Sequence, residues 1–386
     1  LKARFRLLLI GNYRADRQQS MLRYAEVLER HLPAQGVPVA FWFPPHCFGR
    51  LSTPGRPLFK WLAYLDKYLL FPALLAIGCL FRRWQAIPTV VHLCDHSNSP
   101  YVSFLAGLPS LTTCHDVGAI RGAFGDLDDC PATGLGVLLQ RAIMGGLRRS
   151  GWIACVSEAT RRDLLRWVAP PRPERVRVIH NGLNQTFAHS AEETRACLEL
   201  LRHDPGLLDR PYLLNVGSGL ARKNREGVMR IFAEFKKDWP GRLVFVGEAL
   251  SPALLRLRDS LGLAADDLRH IDNPSSLLLE ACYRHAFALL FPTRFEGFGW
   301  PVIEAQACGC PVLTTTVSAL PEVAGAGACL RDPGDEAGFL TDLRALREPS
   351  FREEIIARGH RNAERFTTAE MISRFLQLYE EIACAS

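Results

Sequence analysis

Short apolar runs alternate with amphipathic helical stretches along the whole chain, and this alternation restricts the fold more than any other feature. In the first half "FRLLLIG" precedes the helical "SMLRYAEVLERHL", followed by "VPVAFWF", "TVVHLC", "PSLTTCHD", "GWIACVS" and "RVRVIHNG". The second half brings "PYLLNVG", "RLVFVG", "LRHID", "AFALLF" and "CPVLTT". Runs that are apolar throughout belong to strands buried on both faces, so the pattern predicts parallel sheets covered by helices. With 386 residues there is material for two such domains, each Rossmann-like and each with its own core. The spacing puts the boundary after "IHNGLNQTF", near residue 189, giving domains over 1–188 and 189–368. Ligands of such sheets bind beyond the carboxyl ends of the strands, here expected in the cleft between the domains.

Charge divides along the same line. Residues 1–188 hold 23 Lys and Arg against 12 Asp and Glu, and the remainder 23 against 28, or +11 and −5 within the overall +6. A basic first half suits an anionic membrane surface or a lipid-phosphate acceptor. Nucleic acid is not expected, because the arginines are dispersed and no recognition module is visible. The twelve cysteines lack C-x-x-C spacing and read as buried, reduced thiols without a zinc site. A basic start running straight into a strand, with no cleavable signal pattern, reads as cytoplasmic.

The segment "RPLFKWLAYLDKYLLFPALLAIGCLFRRW", Arg56 to Trp84, stands apart. Its uninterrupted apolar part, Leu69 to Phe81, is too short to cross a bilayer and contains Pro72. Two readings stay open: helices packed inside the first domain, or an interfacial helix with Arg82 and Arg83 at the lipid headgroups.

Chemistry concentrates in "LLFPTRFEGFGWPVIEAQACGCPV", Leu289 to Val312. An apolar strand leads into a turn where Gly297 and Gly299 permit conformations that a side chain forbids. Pro301 suits the first turn of a helix, which would run to Gly309. The helix N-terminus gathers N–H groups and a positive dipole end. Glu296 falls in the turn and Glu304 about one helical turn inside, so both can face one crevice. Amides for phosphate and carboxylates for sugar hydroxyls would suit an anionic, polyhydroxylated ligand.

A second motif, "LLNVGSGLARKNREGVMRIFAEF", repeats the strand–turn–helix plan. Its strand ends at Val216, its turn carries Gly217 and Gly219, and its helix starts near Asn224. Arg222 and Lys223 beside that N-terminus make a diphosphate site. In "LTTCHDVGA", His115 and Asp116 follow a strand end of the first half, with Asp116 expected to orient backbone or His115.

The string around Glu296 resembles the signature of the retaining, GT-B-fold glycosyltransferases of family 4, roughly P-S-x-x-E-G-F-G-x-P-x-x-E-A-x-A-x-G-x-P-V, with Thr293 where Ser is usual. The resemblance implies two Rossmann-like domains, with the last helix, 369–386, crossing back to the first. It implies a nucleotide-diphosphate sugar as donor and a glycan or lipid-linked hydroxyl as acceptor, in cell-envelope or exopolysaccharide synthesis. Glu296 would hold the sugar hydroxyls and Glu304 the ribose. Lys223, Arg222 and the amides of Gly297, Phe298 and Gly299 would hold the diphosphate, and backbone around Ile271 the base. His115 would contact the donor sugar near its reacting carbon. Ser218 replaces a phosphate-binding Arg common in the family. Gln18, Gln19 and Ser20 replace the glycines of an acceptor-side loop, so Gln19 and Ser20 would act through side chains or cap the helix. The G-S and R-K-N pattern leans toward mannose-type donors.

No D-x-D pair has a strand behind it, since Asp128 and Asp129 fall in a loop, and neither metal nor cofactor is expected. A dinucleotide-dependent oxidoreductase is disfavoured because Arg222 stands where G-x-G-x-x-G needs its third glycine. A nucleotide-sugar epimerase of the same fold and a non-catalytic carbohydrate-binding protein remain as alternatives.

Overall fold

The computed structural model describes residues 5–16, 18–53, 56–83, 85, 87–183, 199, 207 and 209–385. The chain divides into two compact units, Leu1–Asn184 with Thr368–Ser386, and Gln185–Thr367. The boundary expected near residue 189 lies outside the described residues.

The first unit is built on a parallel six-stranded sheet of β1 (Arg6–Ile10), β2 (Val39–Trp42), β3 (Thr89–Leu93), β4 (Ser110–Cys114), β5 (Trp152–Cys155) and β6 (Val176–Val178). Their order is β2-β1-β3-β4-β5-β6. The central strands are buried along their length, which is why their sequences are apolar runs without alternation. The helix Thr368–Cys384 belongs to this unit. Its Tyr379 hydroxyl lies 2.7 Å from His92 Nδ1 of β3, and Phe375 packs on the rings of His92 and Tyr24.

Residues 57–83 form one long helical rod. An α-helix over Pro57–Leu65 passes through a π turn at Asp66–Leu70 into a second α-helix, Phe71–Arg83. Pro72 does not break it: the wider π turn just before it, closed by Phe71 N–H to the Asp66 carbonyl, relieves the clash a proline makes with the carbonyl four residues back. Asp66 is fully buried and accepts from the Tyr13 hydroxyl and the amides of Phe48 and Gly49, each at 2.9 Å. One face of the rod joins the sheet core through Phe71, Leu75 and Cys79, against Leu8, Ile10, Val91 and Leu93. The opposite face is exposed.

The second unit carries β7 (Tyr212–Gly217), β8 (Arg242–Gly247), β9 (Leu268–Ile271), β10 (Ala288–Phe291), β11 (Val312–Thr315) and β12 (Ala328–Arg331). The order is β12-β11-β10-β7-β8-β9, all parallel. Strand β12 is an addition to the runs read from sequence; it is an edge strand and only half-buried, so its composition carries no continuous apolar signal. A core of Val228, Phe232, Leu243, Phe245, Leu290 and Phe339 joins the sheet to its helices.

Candidate functional site: the switch point of the second unit

In the second sheet the chain leaves β7 toward β8 and β9, then returns to lay β10 against the other side of β7. The β7/β10 junction is therefore the topological switch point, where successive loops splay apart and leave a crevice at the strand ends. Both sequence motifs fall at this junction.

The loop after β7 is fixed from below. Gly247 has φ +114°, and a Cβ there would stand 2.4 Å from the Gly217 carbonyl oxygen, so the two strand ends can meet only as glycine. The buried Arg225 guanidinium donates to the carbonyls of Gly217 and Glu248, both at 2.6 Å. Residues Ala221–Lys223 form a 3₁₀ turn. Asn224, in the left-handed region at φ +53°, caps the helix Arg225–Phe235: its side-chain oxygen accepts from Gly227 N. Its Nδ2 donates to the Pro292 carbonyl at 3.0 Å, which ties this loop to the one after β10.

The second loop answers with bonds of its own. Arg294 N and the Thr293 hydroxyl donate to the Arg222 carbonyl at 2.7 and 2.8 Å, and Arg222 Nη1 donates to the Phe295 carbonyl at 2.8 Å. Glu296 lies in the turn with 7% of its surface exposed. Lys223 Nζ donates to its Oε1 at 2.5 Å, the Thr293 hydroxyl donates to the same oxygen at 3.1 Å, and Arg222 Nη1 lies 3.2 Å from Oε2. Burial pushes the Glu296 carboxyl upward, but Lys223 and then Arg222 more than offset it and hold it below its ordinary value. Lys223 also sits 5.1 Å above the Phe291 ring.

Gly299, at φ +96°, caps the helix Trp300–Ala307, with Pro301 in the first turn. Cys308 follows as C-cap and Gly309, at φ +72°, ends the helix. Phe298 is a core side chain, packed edge-on against Phe366 at 5.6 Å, so only its main chain can serve a ligand. Glu304 is buried within the helix and accepts from the Tyr283 hydroxyl at 2.9 Å. Ile271 is the half-buried last residue of β9. Ser218 is half-buried, and the adjacent Gly219 amide donates to Glu248 Oε2 at 2.7 Å. Tyr283, Arg225 and Glu248 escaped sequence reading; only Asn224, at the expected helix start, carried a local signal.

In the first unit, His115 follows β4 and is buried. Its Nε2 lies 2.8 Å from the Cys94 carbonyl, and its ring meets Tyr24 edge-on at 4.7 Å. A carbonyl only accepts, so Nε2 carries the proton and Nδ1 is the acceptor. Burial lowers its pKa. Asp116 Oδ1 accepts from Gly118 N at 2.9 Å, orienting the backbone that opens the helix Gly118–Ala123. Gln19 and the exposed Ser20 lie inside the first helix, Gln19–His31, rather than ahead of it; the N-cap is Gln18, with no capping side-chain bond. The side chain of Gln19 lies outside the described residues. The switch point of this sheet, β1/β3, holds a pair the sequence did not announce: Asn12 Nδ2 donates to the buried Asp95 carboxylate at 2.5 Å and also lies 2.6 Å from Gln18 Oε1. Among the described residues no group of three or more His, Cys, Asp or Glu could hold a metal ion.

Two doubly wound parallel sheets, one with paired loops carrying a Glu–Lys–Arg cluster around the buried Glu296 at its switch point, define an α/β protein of two units. Comparison makes the class specific. Residues 21–187 match the profile of Glycosyltransferase Family 4 and residues 210–348 that of Glycosyl transferases group 1, and the chain belongs to this family of glycosyltransferases. The O-antigen chain mannosyltransferase B of Escherichia coli is 25% identical over 63% of this chain and 64% of its own length. A D-inositol 3-phosphate glycosyltransferase of Acidothermus cellulolyticus is 27% identical over 71% and 62%. The chain thus spans just under two thirds of these curated relatives. Among solved structures, sucrose-phosphate synthase from Thermosynechococcus elongatus aligns with a TM-score of 0.74 at 21% identity, covering 99% of this chain and all of that one. Anabaena HepE in complex with UDP and glucose aligns at 0.72 and 14%, covering 98% and 100%. The fold is GT-B.

Proposed function

We propose that the chain is a retaining glycosyltransferase that moves a sugar, of mannose type, from a nucleotide diphosphate to a hydroxyl of a glycan or lipid-linked acceptor in cell-envelope or exopolysaccharide synthesis. It would work on the cytoplasmic face without a metal. The observation that carries this reading is the Lys223–Glu296 pair at the β7/β10 switch point. The names of the mannosyltransferase relatives support the donor sugar. HepE, solved with UDP-glucose, supports a nucleotide-sugar donor.

The chemistry follows from the charges. Glu296, held ionised by its two cations, accepts hydrogen bonds from sugar hydroxyls. Lys223 and Arg222 turn to the diphosphate, whose negative charge grows as the bond from C1 to the phosphate oxygen breaks. The acceptor oxygen bonds C1 on the same face, and its proton passes to the departing phosphate oxygen. Cations fixed in place before the reaction stabilise that leaving group, each by about 2–4 kcal/mol. Glu304, steadied by Tyr283, receives the ribose hydroxyls, and main chain near Ile271 the base. The neutral His115 offers Nδ1 to a sugar hydroxyl. Gln19, Ser20 and Asp116 are assigned to the acceptor side on the resemblance alone.

Thermal-shift measurements against a panel of UDP-, GDP- and ADP-sugars test the reading. One donor raises the melting temperature of the wild type, and Lys223→Ala abolishes the rise. No response to any donor, or an equal response in the variant, rejects it.

A further inference from the structure

The helical rod 57–83 exposes an apolar face that the fold itself leaves uncovered. Trp61 is 60% exposed, Leu69 65% and Phe81 74%, and Leu58, Leu65 and Ile77 are also exposed. Among the described residues of this rod between Leu58 and Phe81, Lys60 is the one exposed charged residue. A helix serving as core would be mostly buried, yet 28% of the most apolar window of this one is buried.

The π turn gives this face its continuity. In an unbroken α-helix each residue advances about 100°, so the exposed positions after residue 70 would sit more than a third of a turn away from those before it. The wider turn at Asp66–Leu70 takes up about one extra residue and rotates the second half back. Leu58, Trp61, Leu65 and Leu69 then continue into Ile77 and Phe81 along one side. Buried Asp66, with its three donors, locks the π turn in place.

Charge identifies what covers the face. Arg56 and Lys60 stand at one end of the rod and Arg82 and Arg83 at the other, while the rod's one acidic residue, Asp66, is turned inward. The adjoining 3₁₀ turn Phe48–Leu51, which packs on the first half of the rod, adds the exposed Leu51 and Arg50. An apolar strip with cations at its edges, and whose flanking carboxylate Asp16 is paired with Lys67 of the rod at 2.8 Å, complements a bilayer rich in anionic lipid: side chains among the acyl chains, cations at the phosphates. The rod cannot span that bilayer without pulling Phe71, Leu75 and Cys79 out of the sheet core.

We propose that the face bearing Trp61, Leu69, Ile77 and Phe81 lies in the plane of an anionic membrane surface and docks the first unit there. This inference does not depend on the proposed reaction. The full chain is spun with vesicles of phosphatidylcholine alone and of phosphatidylcholine containing roughly a third phosphatidylglycerol, in low and high salt. It sediments with the anionic vesicles, less so in high salt, and alkaline carbonate releases it. Leu69→Glu/Ile77→Glu lowers the bound fraction about tenfold with an unchanged melting temperature; should that pair unfold the chain, Leu58→Glu replaces it. The proposal is overturned by absence of sedimentation, by equal binding to neutral vesicles or equal binding of the variant, or by retention after carbonate, which would mean a spanning segment. It is also overturned if sedimentation velocity finds a dimer that the variant dissociates, which would make the occupant a second copy.

Discussion

Lys223 Nζ and Glu296 Oε1 stand 2.5 Å apart, although 73 residues separate them in the chain. They belong to loops that follow two neighbouring strands, β7 and β10, laid side by side only because the chain reverses its direction of winding between them. The pair converts two basic–acidic loop sequences into one polar cluster with a defined orientation.

Removing either partner tests the cluster. Lys223→Ala and Glu296→Ala each lower glycosyl transfer at least about tenfold. Glu296→Ala also lowers unfolding free energy, by roughly 1–3 kcal/mol, because it strips Lys223 and Arg222 of their shared acceptor. Steady-state rates with circular dichroism and urea titration read both effects. Wild-type rates in both variants defeat the assignment.

The stability contribution of Glu296 has a definite pH window. Its folded pKa lies below the ordinary 4.5, so the stabilisation is present above that value and is lost as pH falls through the lower folded pKa. The difference in unfolding free energy between wild type and Glu296→Gln is therefore largest near neutral pH and shrinks in acid below about pH 4.5. Parallel urea titrations from neutral to acidic pH measure it. A difference independent of pH contradicts the pairing.

Two buried imidazoles work in the opposite sense to a salt-bridged histidine. Burial brings His92 down to about 3, with His115 adding to the shift, and His115 is lowered likewise. Below 6.5 the unfolded chain takes up protons that the folded one refuses, so stability falls as pH drops from 6.5 toward the folded values. Nitrogen-15 spectra of the folded protein near pH 5.5 should display the His92 ring neutral, and the His115 ring titrating below the ordinary histidine value. An imidazolium at His92 refutes this.

Tyr283→Phe removes the hydroxyl that orients Glu304. If Glu304 holds the ribose, the dissociation constant for the nucleoside diphosphate rises several-fold while kcat stays within about twofold. Calorimetric titration together with rate measurement separates the two. Unaltered affinity removes Glu304 from the donor site.

Asp66→Ala leaves the Tyr13 hydroxyl and two amides without their common acceptor. The loss is about 2–4 kcal/mol, whereas Asp66→Asn, which keeps an acceptor oxygen, loses less. Chemical denaturation of both variants gives the comparison, and equal losses count against a hydrogen-bonding role.

Periodicity, turn chemistry and burial are local properties, and they made much of this protein legible from its residues alone. Strands β1, β3, β4, β5, β7, β8, β10 and β11 read as apolar runs because each is short and mostly buried on both faces; β2, β6 and β9 are only partly buried. Gly299, Pro301 and Gly309 marked the start and end of a helix because left-handed backbone and a missing N–H leave few other choices. The edge strand Ala328–Arg331 went unread, being half-wet and without a pattern. Tertiary structure alone decided which loops would meet. Strand order put Lys223 on Glu296 and Asn12 on Asp95, brought Tyr283 to Glu304, and set a buried carboxylate under the π turn that aligns an apolar face along 57–83. Contacts of that kind depend on how distant segments pack, and no window of neighbouring residues carries that information.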